Sequence, residues 1–161
     1  MLINPVHAGG CIMVDFPLAW SKNDKKIILE LGNPTSCGSG GYLEYWFHTI
    51  SPDGGTMENL AYNGAIFLDS YNKIIDVKYN SNKGLCNTMG QSVGESIVLK
   101  EIETGKVTKL LNGANIDYSI IDTNNQQTQL NYTARKIELT SNECYGYISK
   151  NTSPTLQLQL P

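Results

Sequence analysis

The chain has 161 residues, a formal net charge of −3 and only 17% charged residues, against about 25% in an ordinary soluble domain. The slightly acidic balance offers no basic field for a nucleic-acid partner. A hydrophobic share of 40% argues against disorder, and no run approaches the roughly 20 apolar residues that span a bilayer. The length suits one domain with a sizeable core.

Met1–Ala8 reads MLINPVHA, and Val6-x-Ala8 fits the small-residue rule for signal-peptidase cleavage. This segment is read as the remnant of an export leader, with residues 9–161 forming a single mature domain. The rival readings are an ordered first strand and a lipoprotein site at Cys11.

Beyond the leader, helical periodicity is almost absent and short strand signals recur. Lys26–Leu31 is β-branched and stops at the turn signal Gly32-Asn33-Pro34. Tyr42–Ile50 (YLEYWFHTI) is aromatic-rich and stops at Ser51-Pro52-Asp53-Gly54-Gly55. Thr56 could cap a short helix over Thr56–Ala61. Gly64–Leu68 and Lys73–Tyr79 flank a hairpin turn at Asp69–Asn72. The polar stretch Asn80–Gly94 reads as a surface loop carrying Cys86. Glu95–Ile102 and Lys106–Leu111 flank Glu103-Thr104-Gly105, where glycine supplies positive φ. Asn115–Ile121 and Gln129–Glu138 follow. The last segment, Thr155–Leu160 (TLQLQL), alternates fully, with Leu156, Leu158 and Leu160 on one face and Gln157 and Gln159 on the other. Strands spaced this way predict an all-β, antiparallel sandwich. An amphipathic final strand either tucks into its sheet or offers its edge to a partner.

The four cysteines are Cys11, Cys37, Cys86 and Cys144, with no C-x-x-C spacing, and there are only two histidines, His7 and His48. Zinc and thioredoxin patterns therefore fail, and two disulfides in an oxidising compartment are expected. Of the three pairings, Cys11–Cys37 with Cys86–Cys144 is favoured. Loop closure would then contribute about 3.5 and about 4 kcal/mol.

Trp20, Tyr42, Tyr45 and Trp46 form a candidate sugar-stacking platform for a host glycan, which on its own would make the chain a self-contained secreted carbohydrate-binding β-sandwich. The competing reading is core packing, since successive strand residues point to opposite faces. Catalysis has little support, which leaves a small secreted hydrolase as the weakest reading: there is no G-x-S-x-G, and Gly38-Ser39-Gly40-Gly41 lacks the lysine and the helix of a phosphate loop. No cofactor is expected.

Taken in order, Glu95–Gly105 (ESIVLKEIETG), the turn Asn112-Gly113, Leu130–Arg135 (LNYTAR) and the alternating Thr155–Pro161 resemble the carboxy-terminal half of a bacterial chaperone–usher pilus subunit. Cys11, and Cys37 after the strand Lys26–Leu31, resemble that family's staple between its first two strands. The resemblance implies an incomplete immunoglobulin-like β-sandwich lacking one strand. Its groove is filled first by a periplasmic chaperone and then, at the usher, by the extension of a neighbouring pilus subunit. It implies that Leu156, Leu158, Leu160 and the Pro161 carboxylate meet the chaperone or donor strand. It also implies export through the periplasm to a surface fimbrium, and a role in cell adhesion. The short segment before Cys11 suits a minor or tip subunit, or the pilin domain of an adhesin.

Overall fold

β-Branched and aromatic residues punctuated by Gly, Asn and Pro favour short pleated strands over helices. The computed structural model describes residues 6–8, 11–21, 25–32, 45–62, 64–68, 72–86, 91–140, 143–148 and 154–161. Among these there is no helix, and every sheet is antiparallel. The chain divides into two units, residues 1–63 and 64–161.

The first unit is one five-stranded meander, in the order β1 (Val6–Ala8), β2 (Cys11–Trp20), β3 (Ile27–Gly32), β4 (Tyr45–Ile50) and β5 (Glu58–Tyr62). Val6–Ala8, the end of the segment read as a leader, pair with Cys11–Met13. Ile28, Leu29, Phe47 and Ala61 are buried. In β2 the ladder to β3 slips between Pro17 and Ala19, as expected where proline cannot donate to a ladder. The helix expected over Thr56–Ala61 is instead β5. Glu58 pairs with Thr49, Asn59 with His48 and Ala61 with Phe47, so sheet pairing overrides the local capping signal.

The second unit has two four-stranded sheets. One is β6 (Ile66–Leu68), β7 (Lys73–Gly84), β8 (Ser92–Glu101) and β9 (Val107–Asn112), hydrogen-bonded in that order. In the other, β11 (Gln129–Leu139) lies beside β10 (Ile116–Thr123). β11 also pairs with two short strands, β12 (Tyr145–Tyr147) along residues 137–139 and β13 (Leu156–Gln159) along residues 129–132. Side chains of both sheets share one core: Leu68, Ile75, Ile97 and Leu99 from the first meet Tyr118 and Leu130 from the second. β8 is buried through Ile97, Val98 and Leu99, as its unbroken apolar run requires. The hairpin between β8 and β9 turns at Gly105, with φ 68°, where glycine escapes the Cβ clash.

Asn80–Gly94 is not simply a loop. β7 runs on to Gly84, and its pairing with β8 shifts register between Asn80 and Gly84. Asn80 Oδ1 accepts from the Asn82 N–H at 3.0 Å, so a local side-chain turn carries the irregularity. Beyond it, Leu85, Val93 and Ile137 form a second small core flanked by Tyr145 and Tyr147. Cys86 and Cys144 close that core as a disulfide with Cα atoms 5.2 Å apart. The Cys86 N–H donates to Tyr145 O at 2.9 Å. Cys37 and the Cys11 side chain lie outside the described residues, as does their expected pairing.

One buried acid ties the two sheets together. Asp117 on β10 is 6% exposed. Its Oδ1 accepts from the Gly94 N–H at 2.7 Å, and its Oδ2 from the Tyr147 hydroxyl at 2.7 Å. The Arg135 guanidinium stacks 3.6 Å from the centre of the Tyr147 ring, a cation–π contact. Burial, then the hydrogen bond to Asp117, push the Tyr147 phenol up to about 12 from its ordinary 10.0. The neutral phenol is the form the fold favours, so its contribution is complete below pH 10 and is lost as pH climbs through about 12. An ultraviolet titration of tyrosinate is expected to show a late-ionising phenol that disappears in Tyr147→Phe. In that variant the decline of stability above pH 10 flattens. A Tyr147 that ionises at its ordinary value would contradict the hydrogen bond.

Candidate strand-addition edge

β13 contains no charge and no proline within Leu156–Gln159. Natural edge strands usually carry lysine, proline or a bulge to deter pairing, and this one carries none. It lies antiparallel to β11, with Leu130 opposite Leu158 and Tyr132 opposite Leu156. Leu158 and Leu160 pack against the shared core, while Leu156 is 37% exposed. The alternation read from the sequence therefore sets this strand's faces.

The backbone register decides what remains available. The Leu160 N–H donates to Thr128 O at 2.8 Å. In an antiparallel ladder consecutive residues turn their N–H and C=O to opposite sides. The even-numbered residues thus bond to β11, and the backbone groups of Gln157 and Gln159 point away from it. Among the described strands, none other than β11 pairs with β13. These groups form a row of donors and acceptors beside an apolar stripe.

The polar face is braced. Gln129 Nε2 donates to Gln157 Oε1 (3.1 Å), Gln157 Nε2 to Asn131 Oδ1 (3.2 Å), and Asn131 Nδ2 to Asp122 Oδ1 (2.6 Å). This amide ladder crosses β13, β11 and β10 and holds the last strand in register. Sequence reasoning missed Gln129, Asn131 and Asp122, because nothing in one sequence states which strands are neighbours. Pro161 is exposed.

Of the candidate glycan residues, only Trp20 has its side chain among the described residues. Trp20 ends β2 and is 53% exposed. Tyr42 lies outside the described residues, as do the side chains of Tyr45 and Trp46, whose backbone forms part of β4. His48 Nδ1 lies 3.1 Å from Asn59 Oδ1. Among the described residues, no group of three His, Cys, Asp or Glu side chains stands together as a metal site. No helix there is long and apolar enough to cross a membrane. No family model, curated protein or solved structure matches the chain.

Proposed function

We infer that this chain is a structural subunit of a bacterial surface pilus, assembled by strand addition along β13 and contributing to cell adhesion. The observation that carries this reading is the outward-facing, unprotected backbone of Gln157 and Gln159 beside the Leu156–Leu158–Leu160 stripe. The half-covered core supports it: Leu158, Leu160 and Ile66 pack against fully buried residues yet stay partly open. On this reading the second unit is an immunoglobulin-like sandwich short of one strand. A periplasmic chaperone supplies that strand first, and a neighbouring subunit replaces it at the usher. Backbone ladder bonds give strength, and alternate apolar side chains set the register. The Cys86–Cys144 disulfide is compatible with export through an oxidising compartment. The role is assembly, without catalysis.

The test is a synthetic peptide of alternating apolar and polar residues, compared with its scrambled form. The alternating peptide is expected to raise the melting temperature. A ligand at about 100 times its dissociation constant stabilises by about 2.7 kcal/mol. Gln159→Pro removes one outward N–H and leaves the β11 ladder intact, as an edge strand tolerates. It is expected to abolish the gain while changing the peptide-free protein by less than about 1 kcal/mol. Equal shifts from both peptides, or none, would overturn the reading.

A further inference from the structure

The segment Leu156-Gln157-Leu158-Gln159-Leu160 reads the same in both directions. It can therefore lie antiparallel to an identical strand with like residues opposite like. A two-fold axis at Leu158 places Leu156 opposite Leu160 of the second copy and Gln157 opposite Gln159 of the second copy. Leu158 then faces its own equivalent. Opposite residues of an antiparallel pair project to one face, so leucine meets leucine on one side and glutamine meets glutamine on the other. A slip of one residue sets leucine against glutamine. A slip of two toward the start of the strand sets Leu160 against Pro154.

The backbone selects the same centre. The Leu160 N–H bonds to Thr128 O, and Leu158 and Leu156 follow in register with Leu130 and Tyr132. That turns the N–H and C=O groups of Gln157 and Gln159 away from β11. About the Leu158 axis these are the groups that meet. The Gln157 N–H donates to Gln159 O of the second copy, and the Gln159 N–H of the second copy donates to Gln157 O. Symmetry repeats the exchange on the other side of the axis. Leu158 and its equivalent form the close, non-hydrogen-bonded pair, with Cα atoms about 4.5 Å apart.

Charge does not oppose the approach. Pro154–Pro161 carries no charged side chain, and neither does the stretch of β11 beside it, Gln129–Tyr132. The amide ladder ends in an acid, Asp122 on β10. Across the paired sheet the two copies of Asp122 lie about 24 Å apart at the usual strand spacing, well beyond the roughly 8 Å range of charge interactions in physiological salt. Gln157 is already held by Gln129 and Asn131, so less side-chain freedom is lost on pairing. Leu156, 37% exposed, gains an apolar neighbour in Leu160 of the second copy.

We propose that β13 pairs with β13 of a second copy in an isologous dimer, one sheet running through β10, β11 and β13 into the same strands of the second copy. The inference rests on the open β13 edge of the strand-addition reading and adds a regulation to it. At high concentration the chain caps its own edge, and a donor strand must displace that cap. A single strand pair buries far less than the roughly 1,200 Å² of stable interfaces. The dimer is therefore weak, with a dissociation constant of about 0.1–1 mM, and in dilute solution the edge is free.

The test is sedimentation equilibrium of the full chain from about 5 μM to about 1 mM, with and without the alternating peptide. The chain is expected to be monomeric at the low end, to dimerise toward the high end, and to stay monomeric when saturated with peptide. In a mixture of isotope-labelled and unlabelled chains, nuclear magnetic resonance is expected to show the Leu158 Hα of one copy against the Leu158 Hα of the other, the signature of this register. Gln157→Lys with Gln159→Lys puts like charges opposite each other, as does Gln157→Glu with Gln159→Glu. Each double variant is expected to self-associate at least about 10-fold more weakly, and an equal mixture of the two to recover association. A chain that stays monomeric at about 1 mM while the peptide still raises its melting temperature would overturn self-pairing and leave strand addition standing. Contacts between copies that map outside Leu156–Leu160, or like-charged variants that associate as tightly as the parent, would overturn it too. A Leu158-centred dimer that the peptide does not dissociate would support self-pairing and count against strand addition.

Discussion

Replacing Cys86 and Cys144 together by serine is expected to lower unfolding stability by about 4 kcal/mol, the loop-closure value for a crosslink between cysteines 58 residues apart. That is a large part of the roughly 5–15 kcal/mol that holds a domain folded. The bond sits where little else secures the structure. β12 has only three residues, and among the described residues the small core beneath it buries just Leu85, Val93 and Ile137. Thr140 adds a local clasp, its N–H and hydroxyl both donating to Cys144 O at 2.8 and 2.9 Å, but such bonds contribute only about 1 kcal/mol each. Denaturant unfolding of the oxidised protein against the double-serine variant measures the difference. A change below about 1 kcal/mol would mean that the crosslink constrains neither state as loop closure requires.

Gly94→Ala is expected to cost about 3–5 kcal/mol, through two effects that converge on one atom. A Cβ at Gly94 would lie 2.3 Å from Tyr118 O and 2.8 Å from Val77 Cγ1. Overpacking of this kind costs about 1–3 kcal/mol. The displacement that relieves it also pulls the Gly94 N–H from Asp117, a charged hydrogen bond contributing about 1.5–3 kcal/mol. Val77→Ala in the Gly94→Ala background is expected to restore little, because the closest obstruction is the backbone of β10 rather than a side chain. A Gly94→Ala protein that melts with the wild type would show that β8 and β10 do not approach as closely as this.

The strands were legible where local pattern and tertiary pairing agree. Leu156, Leu158 and Leu160 alternate in the sequence, and the two of them that reach the core sit on its side of β13. Ile97–Leu99 is a continuous apolar run, and β8 is internal to its sheet. β2 was missed because Asp15 and Pro17 break its alternation, although in its ladder to β3 Asp15 pairs with Leu31 in regular register and the pairing shifts only past Pro17. β12 was missed because Tyr145-Gly146-Tyr147 is too short to signal a strand without β11 beside it. The extension of β7 past Tyr79 was masked by Asn80, Ser81, Asn82 and Lys83, polar residues on a strand end that is largely exposed.

The candidate site was legible only in part. The apolar stripe of β13 is a property of consecutive residues, but the direction of its free backbone groups depends on the pairing with Gln129–Tyr132. The Gly94–Asp117–Tyr147 tie joins residues 23 and 30 positions apart. The Lys26–Glu58 ion pair joins residues 32 apart. A single sequence gives their chemistry and not their meeting.

Amide hydrogen exchange at Gln157 and Gln159 tests the central claim most directly. Without a partner strand both N–H groups face away from β11 and are expected to exchange quickly, while the Leu160 N–H, bonded to Thr128 O, exchanges slowly. Adding the alternating peptide is expected to protect Gln157 and Gln159 and to leave Leu160 as it was. Slow exchange at both glutamines before any peptide is added, or no protection after saturation, would contradict a strand-addition edge at β13.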